Sequence, residues 1–352
     1  MNTNIRLKKI AASFFFLSMT VGAVMAGNED RAGSAGGTQL LINPWARNSA
    51  LAGSNVASSR GIEATFNNVA GLAFTEKTEF VFSRARWLEG SNTNINSFGF
   101  SQKVGEVGVL GLSLVTVDFG EIPVTTTNNP EGGIGTFSPN NANIGLSYAK
   151  KFSDRIFAGV NVKLLSESIS NAKAQGVALD AGVRYITGDR DQFRFGISLK
   201  NVGPPMQYGG DGFSFETESP NGNNIRVDQR VDEFEIPSLI NIGLSYDFKL
   251  PKNHGLTASG TFTSNSFTRD QFRLGANYIY KDLIKVKMGY LYEDKMYDDS
   301  ETQTVFSGFT GGAGVRFPMG KEKNTFFELN YSYRSTNPFS GVHTIGIRAD
   351  LH

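Results

Sequence analysis

The sequence predicts an all-β protein, a transmembrane antiparallel β-barrel of about fourteen strands with an N-terminal hatch segment in its lumen. Three observations predict it. Apolar residues alternate with glycine and small polar residues in repeated segments between Glu79 and Leu351. Most segments run about nine to thirteen residues, near what a tilted strand needs to cross a bilayer, whereas ordinary strands average nearer five or six. Tight and long connections alternate, as turns and outer loops do in such barrels.

The chain begins with Arg6, Lys8 and Lys9 before an apolar run from Ile10 to about Val24. Val24-Met25-Ala26 then offers small residues at a peptidase site, so residues 1–26 read as a secretory signal cut after Ala26. The run of about fifteen residues is shorter than the roughly twenty of a spanning helix, and no later run reaches that length. A mean hydropathy below zero fits strands that face lipid and lumen in turn. Cysteine is absent, so stability must come from backbone pairing and packing. A net charge of +1 argues against a general nucleic-acid binder.

Residues 27–78 interrupt the alternation. Residues 33–37 read as a flexible leader. Leu51, Val56, Ile62, Phe66, Val69 and Leu72 are too closely spaced for a solvated linker. The spacing predicts a hatch with short helices folded into the lumen.

Residues 79–352 carry the barrel. The strands are expected at 79–87, 94–103, 106–118, 141–152, 156–168, 175–185 and 192–201, then 239–248, 255–263, 271–280, 283–292, 304–317, 325–333 and 342–351. In the tenth, Phe272, Leu274, Ala276, Tyr278 and Tyr280 share one face, and Gln271, Arg273, Gly275 and Asn277 share the other. Tight turns fall at Val104-Gly105, Ser153-Asp154-Arg155, Gly188-Asp189-Arg190 and Lys281-Asp282, with longer loops at 119–140, 203–238, 293–303 and 335–341. A periplasmic N-terminus places the long loops outside. Pro251 and Pro318 are expected in turns, with no proline inside a strand. Asn143-Ile144-Gly145-Leu146-Ser147-Tyr148 recurs as Asn241-Ile242-Gly243-Leu244-Ser245-Tyr246, which reads as repeated selection for one strand environment. Small inward residues there make room for a plug or let the wall curve.

Catalysis and cofactor binding have little support. The three histidines, His254, His343 and His352, stand far apart, with no cysteine nucleophile. The acids of the longest loop, Asp211, Glu216, Glu218, Asp228, Asp232, Glu233 and Glu235, lack the spacing of a calcium loop. Gly311-Gly312-Ala313-Gly314 and Gly132-Gly133-Ile134-Gly135 lack the strand–helix setting of a phosphate cradle. Arg184, Arg194, Arg273, Lys285, Lys287 and Arg348 are expected inside the barrel, paired with Asp180, Asp247, Glu328 or Asp350.

Several blocks resemble one known family. Leu40-Leu41-Ile42-Asn43-Pro44-Trp45-Ala46-Arg47, Ala50-Leu51-Ala52-Gly53-Ser54-Asn55-Val56-Ala57 and Phe66-Asn67-Asn68-Val69-Ala70-Gly71-Leu72-Ala73 look like the opening motifs of the PorV/PorQ family. Gly159-Val160-Asn161-Val162-Lys163, Ala178-Leu179-Asp180-Ala181-Gly182-Val183, Lys200-Asn201-Val202-Gly203-Pro204 and Ile236-Pro237-Ser238-Leu239 look like its later strand and turn blocks. These are FadL-like outer-membrane proteins associated with type IX secretion. The resemblance singles out Asn43, Pro44, Arg47, Asn67, Asn68, Gly71 and Leu72 as the hatch motif. It implies an integral, non-enzymatic outer-membrane component whose external loops bind exported cargo, notably cargo C-terminal domains, and translocon or attachment-complex proteins. The alternative is a FadL-like transporter of hydrophobic small molecules.

Overall fold

The computed structural model describes residues 27–319 and 325–351, so the expected cut after Ala26 lies outside the described residues. Fourteen antiparallel strands form a closed ring. They are β1 Thr78–Trp87, β2 Thr93–Val104, β3 Gly108–Asp118, β4 Asn140–Lys151, β5 Ile156–Ile169, β6 Ala172–Thr187 and β7 Phe193–Val202. There follow β8 Leu239–Phe248, β9 His254–Asn265, β10 Gln271–Tyr280, β11 Ile284–Glu293, β12 Phe306–Met319, β13 Thr325–Thr336 and β14 Val342–Leu351. Each strand pairs with its sequence neighbours, and β1 closes on β14 from Thr78↔Leu351 to Arg86↔His343. Closure gives every strand two partners, which matters wherever water cannot satisfy a free edge.

The alternation becomes two surfaces. Along β10, Phe272, Leu274 and Tyr278 are exposed on the outside, while Arg273, Gly275 and Asn277 turn in and are half-buried. The two copies of the repeated hexapeptide lie on β4 and β8 in the same orientation. Both turn asparagine, glycine and serine inward and expose isoleucine and leucine. The outer wall is apolar around the ring, with Phe82, Leu146, Ile197, Leu274 and Ile345 among its exposed side chains. Such a belt suits hydrocarbon rather than water.

No helix of the described residues is long and apolar enough to cross a membrane, which leaves strand crossing untouched. Two expectations need correction. Pro318 is not in a turn but near the end of β12, opposite Phe326 of β13. The facing strand β11 pairs with β12 only as far as Ile284↔Val315, so the missing proline N–H breaks no ladder on that side. Residues 33–37 are also less free than a flexible leader. Ala35 bridges to Glu235, and the Gly36 N–H donates to the Glu235 carbonyl at 3.0 Å. The longest loop is held as well: residues Met206–Gly209 pair with the outer end of β6 and with Glu233–Phe234. Leu40, Met206 and Ile236 bury a small apolar cluster between leader, loop and wall.

The orientation of β10 is testable in a bilayer. Arginine at midplane on a lipid face costs roughly 2–4 kcal/mol and far less facing a wet lumen. Leu274→Arg is therefore expected to lose folding yield in lipid vesicles, read by heat-modifiable gel migration, while Asn277→Arg folds near the native level. A larger loss for Asn277→Arg would mean that the faces are inverted, and equal losses that this sheet does not meet lipid.

Candidate functional site: the hatch and the two chambers beside it

Residues 40–74 lie within the ring and touch it on many sides. The Thr310 hydroxyl of β12 donates to the Ala50 carbonyl at 3.0 Å, Thr261 of β9 to Ser54 at 2.8 Å, and Ser198 of β7 to Asn67 at 2.7 Å. The Asn68 amide donates to the Val183 carbonyl of β6 at 3.1 Å. Inward glycines let the backbones approach. A Cβ on Gly289 would lie 2.5 Å from the Leu51 carbonyl carbon, and one on Gly243 would lie 2.8 Å from Val56 Cβ. The hatch is thus fitted to a belt of small wall residues. Apolar contact completes it: Trp45, Ile62 and Leu72 pack with Val81, Val109 and Ala149 of the wall.

Inside the hatch an asparagine relay replaces regular structure. Asn55 donates to the Asn48 side-chain oxygen at 2.8 Å, Asn67 to that of Asn55 at 2.7 Å, and Asn48 to the Glu63 carbonyl at 2.8 Å. The helices Ala46–Ser49 and Ala64–Asn67 are four residues long and carry no side-chain cap, so the relay ties them to one another, reaching the backbone at the Glu63 carbonyl.

The expected motif residues divide by role. The Asn43 side-chain oxygen accepts from the Trp45 N–H at 3.1 Å, and that of Asn68 accepts from Ala70 at 3.1 Å, capping the turn Val69–Phe74. The Gly71 carbonyl accepts from the Gly61 N–H at 3.0 Å, and a Cβ at Gly71 would lie 2.4 Å from the Ser59 carbonyl oxygen. Leu72 is fully buried, and Pro44 lines a small pocket. Arg47 pairs with Glu63 and donates to the Arg60 carbonyl at 3.0 Å. Glu63 and Glu79 carried no sequence signal, yet both anchor the hatch. Glu79 of β1 accepts from the Ile62 N–H at 3.3 Å and lies 3.4 Å from Arg348. Gly61 adopts φ +76°, and any side chain there would collide with the Glu79 carboxylate.

Two chambers flank the hatch. The one toward the tight turns has a volume of about 370 Å³ and is walled by charge, including Arg47, Arg60, Arg194, Lys285, Glu328 and Arg348. Here the expected ion pairs form: Lys285–Glu328 at 2.6 Å, Arg348–Asp350 at 2.6 Å, and Arg194 donating to Asp247 at 3.0 Å. Arg184, Arg273 and Lys287 depart from the expectation, forming no ion pair among the described residues. Arg273 donates to the Gln271 side-chain oxygen and Lys287 to that of Asn330 at 3.0 Å, while Arg184 donates to Val56 and Ser59 at 3.4 Å and lies 5.0 Å from the Phe74 ring. The chamber toward the long loops is only about 50 Å³. Leu40, Ile42, Trp45, Phe66 and Val115 make its apolar walls, with Asn143, Asn161, Lys163, Asp180 and Lys200 as its polar members.

The long loops carry ribbons of their own, Ser214–Glu218 with Asn224–Asp228 and Ile122–Pro123 with Thr136–Phe137. Asp211 pairs with Arg226 at 3.3 Å, and no group of three metal-ligating acids or histidines forms among the described residues. His343 lies 3.0 Å from Glu89 and 2.8 Å from the Tyr331 hydroxyl.

No family model matches the chain, and no curated protein matches it. Solved structures do. The Ralstonia pickettii toluene transporter TbuX is 14% identical with a TM-score of 0.54, covering 88% of this chain and 98% of its own. The CymD monoaromatic hydrocarbon channel is 13% identical with a TM-score of 0.58, covering 89% and 98%. A Pseudomonas aeruginosa FadL homologue is 13% identical with a TM-score of 0.54, covering 87% and 98%. The chain therefore shares its fold with FadL-type transporters.

The fitted belt yields a test. Gly289→Val forces the hatch away from β11, so conductance in planar bilayers is expected to rise. Gly260→Val, whose Cβ meets only ordinary contact with Leu274 at 3.5 Å and the Arg273 carbonyl oxygen at 3.9 Å, leaves conductance unchanged. Equal conductance for both variants would show that the hatch is not seated on this belt.

Proposed function

We propose that this chain is an integral outer-membrane transporter of FadL type, passing a small hydrophobic solute from the loop end, around the hatch, to the turn end. The observation that carries the reading is the pocket on the loop side of the hatch, where Trp45, Phe66, Leu40, Ile42 and Val115 meet. Apolar walls at that depth take a solute out of water, with burial worth roughly 25 cal/mol per Å² of apolar surface. Further support comes from fold: the hydrocarbon transporters and this chain match along nearly their full lengths. At about 50 Å³ the pocket is well below the few hundred Å³ typical of ligand sites, so transport requires the hatch to shift. The charged chamber then serves as a wet vestibule on the periplasmic side.

A cysteine-free chain makes the shift testable. A Cβ on Gly346 of β14 would lie 3.2 Å from Ala46 Cβ, near the separation of about 3.8 Å that a disulfide spans. In proteoliposomes, Ala46→Cys with Gly346→Cys is expected to take up toluene when reduced and to lose most of that uptake when oxidised. Full uptake by the oxidised form would remove the moving hatch from the reading.

A second reading has its own observation. Ile122, Ile134, Phe215 and Ile225 are exposed on the long loops, where a soluble rim favours polar residues. They support a docking role in type IX secretion, with cargo C-terminal domains and translocon or attachment-complex proteins as partners. The ribbon is closed at its base by the Gln229 N–H donating to the Phe213 carbonyl at 2.9 Å, so residues 214–228 are removable without touching the barrel. Cells lacking them are expected to take up hydrophobic solute normally under the transport reading. Retention of type IX cargo in the periplasm with normal uptake would favour the docking role instead.

A further inference from the structure

Lys200 is a buried cation that its surroundings leave uncompensated. The residues Lys200 and Asn201 form a bulge in β7, marked by the register slip between Leu179/Ala181 and by Asn201 at φ +59°. The bulge turns both side chains inward, where strict alternation would turn only one. Lys200 is 4% exposed and lies 3.7 Å from the centre of the Phe66 ring. Among the described residues no carboxylate lies within ion-pair distance of its ammonium.

The nearby acid is already used. Asp180 binds the Lys163 ammonium at 2.7 Å and accepts from the Asn161 amide at 3.1 Å and the Asn201 N–H at 2.7 Å. Lys163, Lys200 and Asp180 all line the small chamber, so two ammonium groups share one carboxylate there. A buried charge is costly unless it is paired and hydrogen-bonded. An aromatic face compensates it only in part.

We propose that Lys200 receives the anionic head of the transported solute, and that the chamber takes a small aromatic carboxylate in preference to a neutral hydrocarbon. This rests on the transport reading above and narrows its substrate. The carboxylate supplies the missing counter-charge and accepts hydrogen bonds from the ammonium. The ring of the solute lies between Trp45 and Val115, in space opened as Phe66 leaves the ammonium. Phe66 belongs to the hatch, so exchanging its ring for the solute couples recognition to hatch movement.

The sequence offers a reporter, because Trp45 is one of only two tryptophans. In a Trp87→Phe background, Trp45 fluorescence of the detergent-solubilised protein is titrated with benzoate, toluene and benzylamine. Benzoate is expected to bind at least tenfold tighter than toluene, and benzylamine not to bind. Lys200→Met is expected to abolish the preference for benzoate and Lys200→Arg to keep it, with heat-modifiable migration confirming that both variants fold. Equal affinities for benzoate and toluene, or a preference surviving in Lys200→Met, would overturn the proposal. If toluene still enters proteoliposomes in that event, the transport reading stands without it. If toluene neither binds nor enters, both readings fall.

Discussion

Closure is the constraint on which the rest depends. A strand whose outer face meets hydrocarbon cannot lend its backbone to water, so each N–H and C=O must find a neighbouring strand. The first barrel strand meets the last in an unbroken antiparallel ladder, and β6 meets β7 through a single bulge. With the ring closed, alternation has one meaning along each strand between bulges: successive positions belong in turn to one solvent and to the other. The inward positions then inherit a second task, since a ring of fourteen strands encloses space that must be filled or left wet.

Filling is divided between two chemistries. On the hatch, apolar side chains and asparagine amides meet glycine, serine and threonine of the wall in close contact, with Arg184 and Glu79 of the wall reaching its backbone at single points. Toward the turns the wall supplies arginine, lysine and carboxylates, which pair with one another around open volume. Ion pairs of this kind add modest stability because desolvation offsets much of the attraction. Their consequence is positional, because they hold long side chains against the wall and keep the chamber open.

The sequence made the wall legible and the hatch only partly so. Strand periodicity reads directly from Phe272, Leu274 and Tyr278 against Arg273 and Asn277, because one face of each strand has one neighbour, lipid. Boundaries shifted by a residue or two at most strands. At β12 the unpaired flank made room for Pro318 within the strand. The hatch has no such single neighbour. Asn43, Asn67 and Asn68 were visible through resemblance, but the bonds that Asn43 and Asn68 accept and the one that Asn67 donates follow from three-dimensional contacts that no period encodes. Glu63 and Glu79 left no trace for the same reason, since a glutamate at a strand start or in a loop is ordinary until a backbone N–H is brought to it. Lys200 was hidden by the bulge, which shifts the alternation by one position.

The order of synthesis gives the hatch an unusual history. Ala50 accepts a bond from Thr310, a partner 260 residues later in the chain. The Ala50 turn of the hatch is therefore among the last parts of the chain to find its neighbour. Contacts of such long sequence separation form slowly, because loop entropy must be lost before they reward it. Trp45, Ile62 and Leu72, by contrast, bury against Val81, Val109 and Ala149 of β1, β3 and β4, neighbours that lie early in the chain. The segment that fills the ring therefore finds its neighbours in two stages, first along β1 to β4 and last at β12.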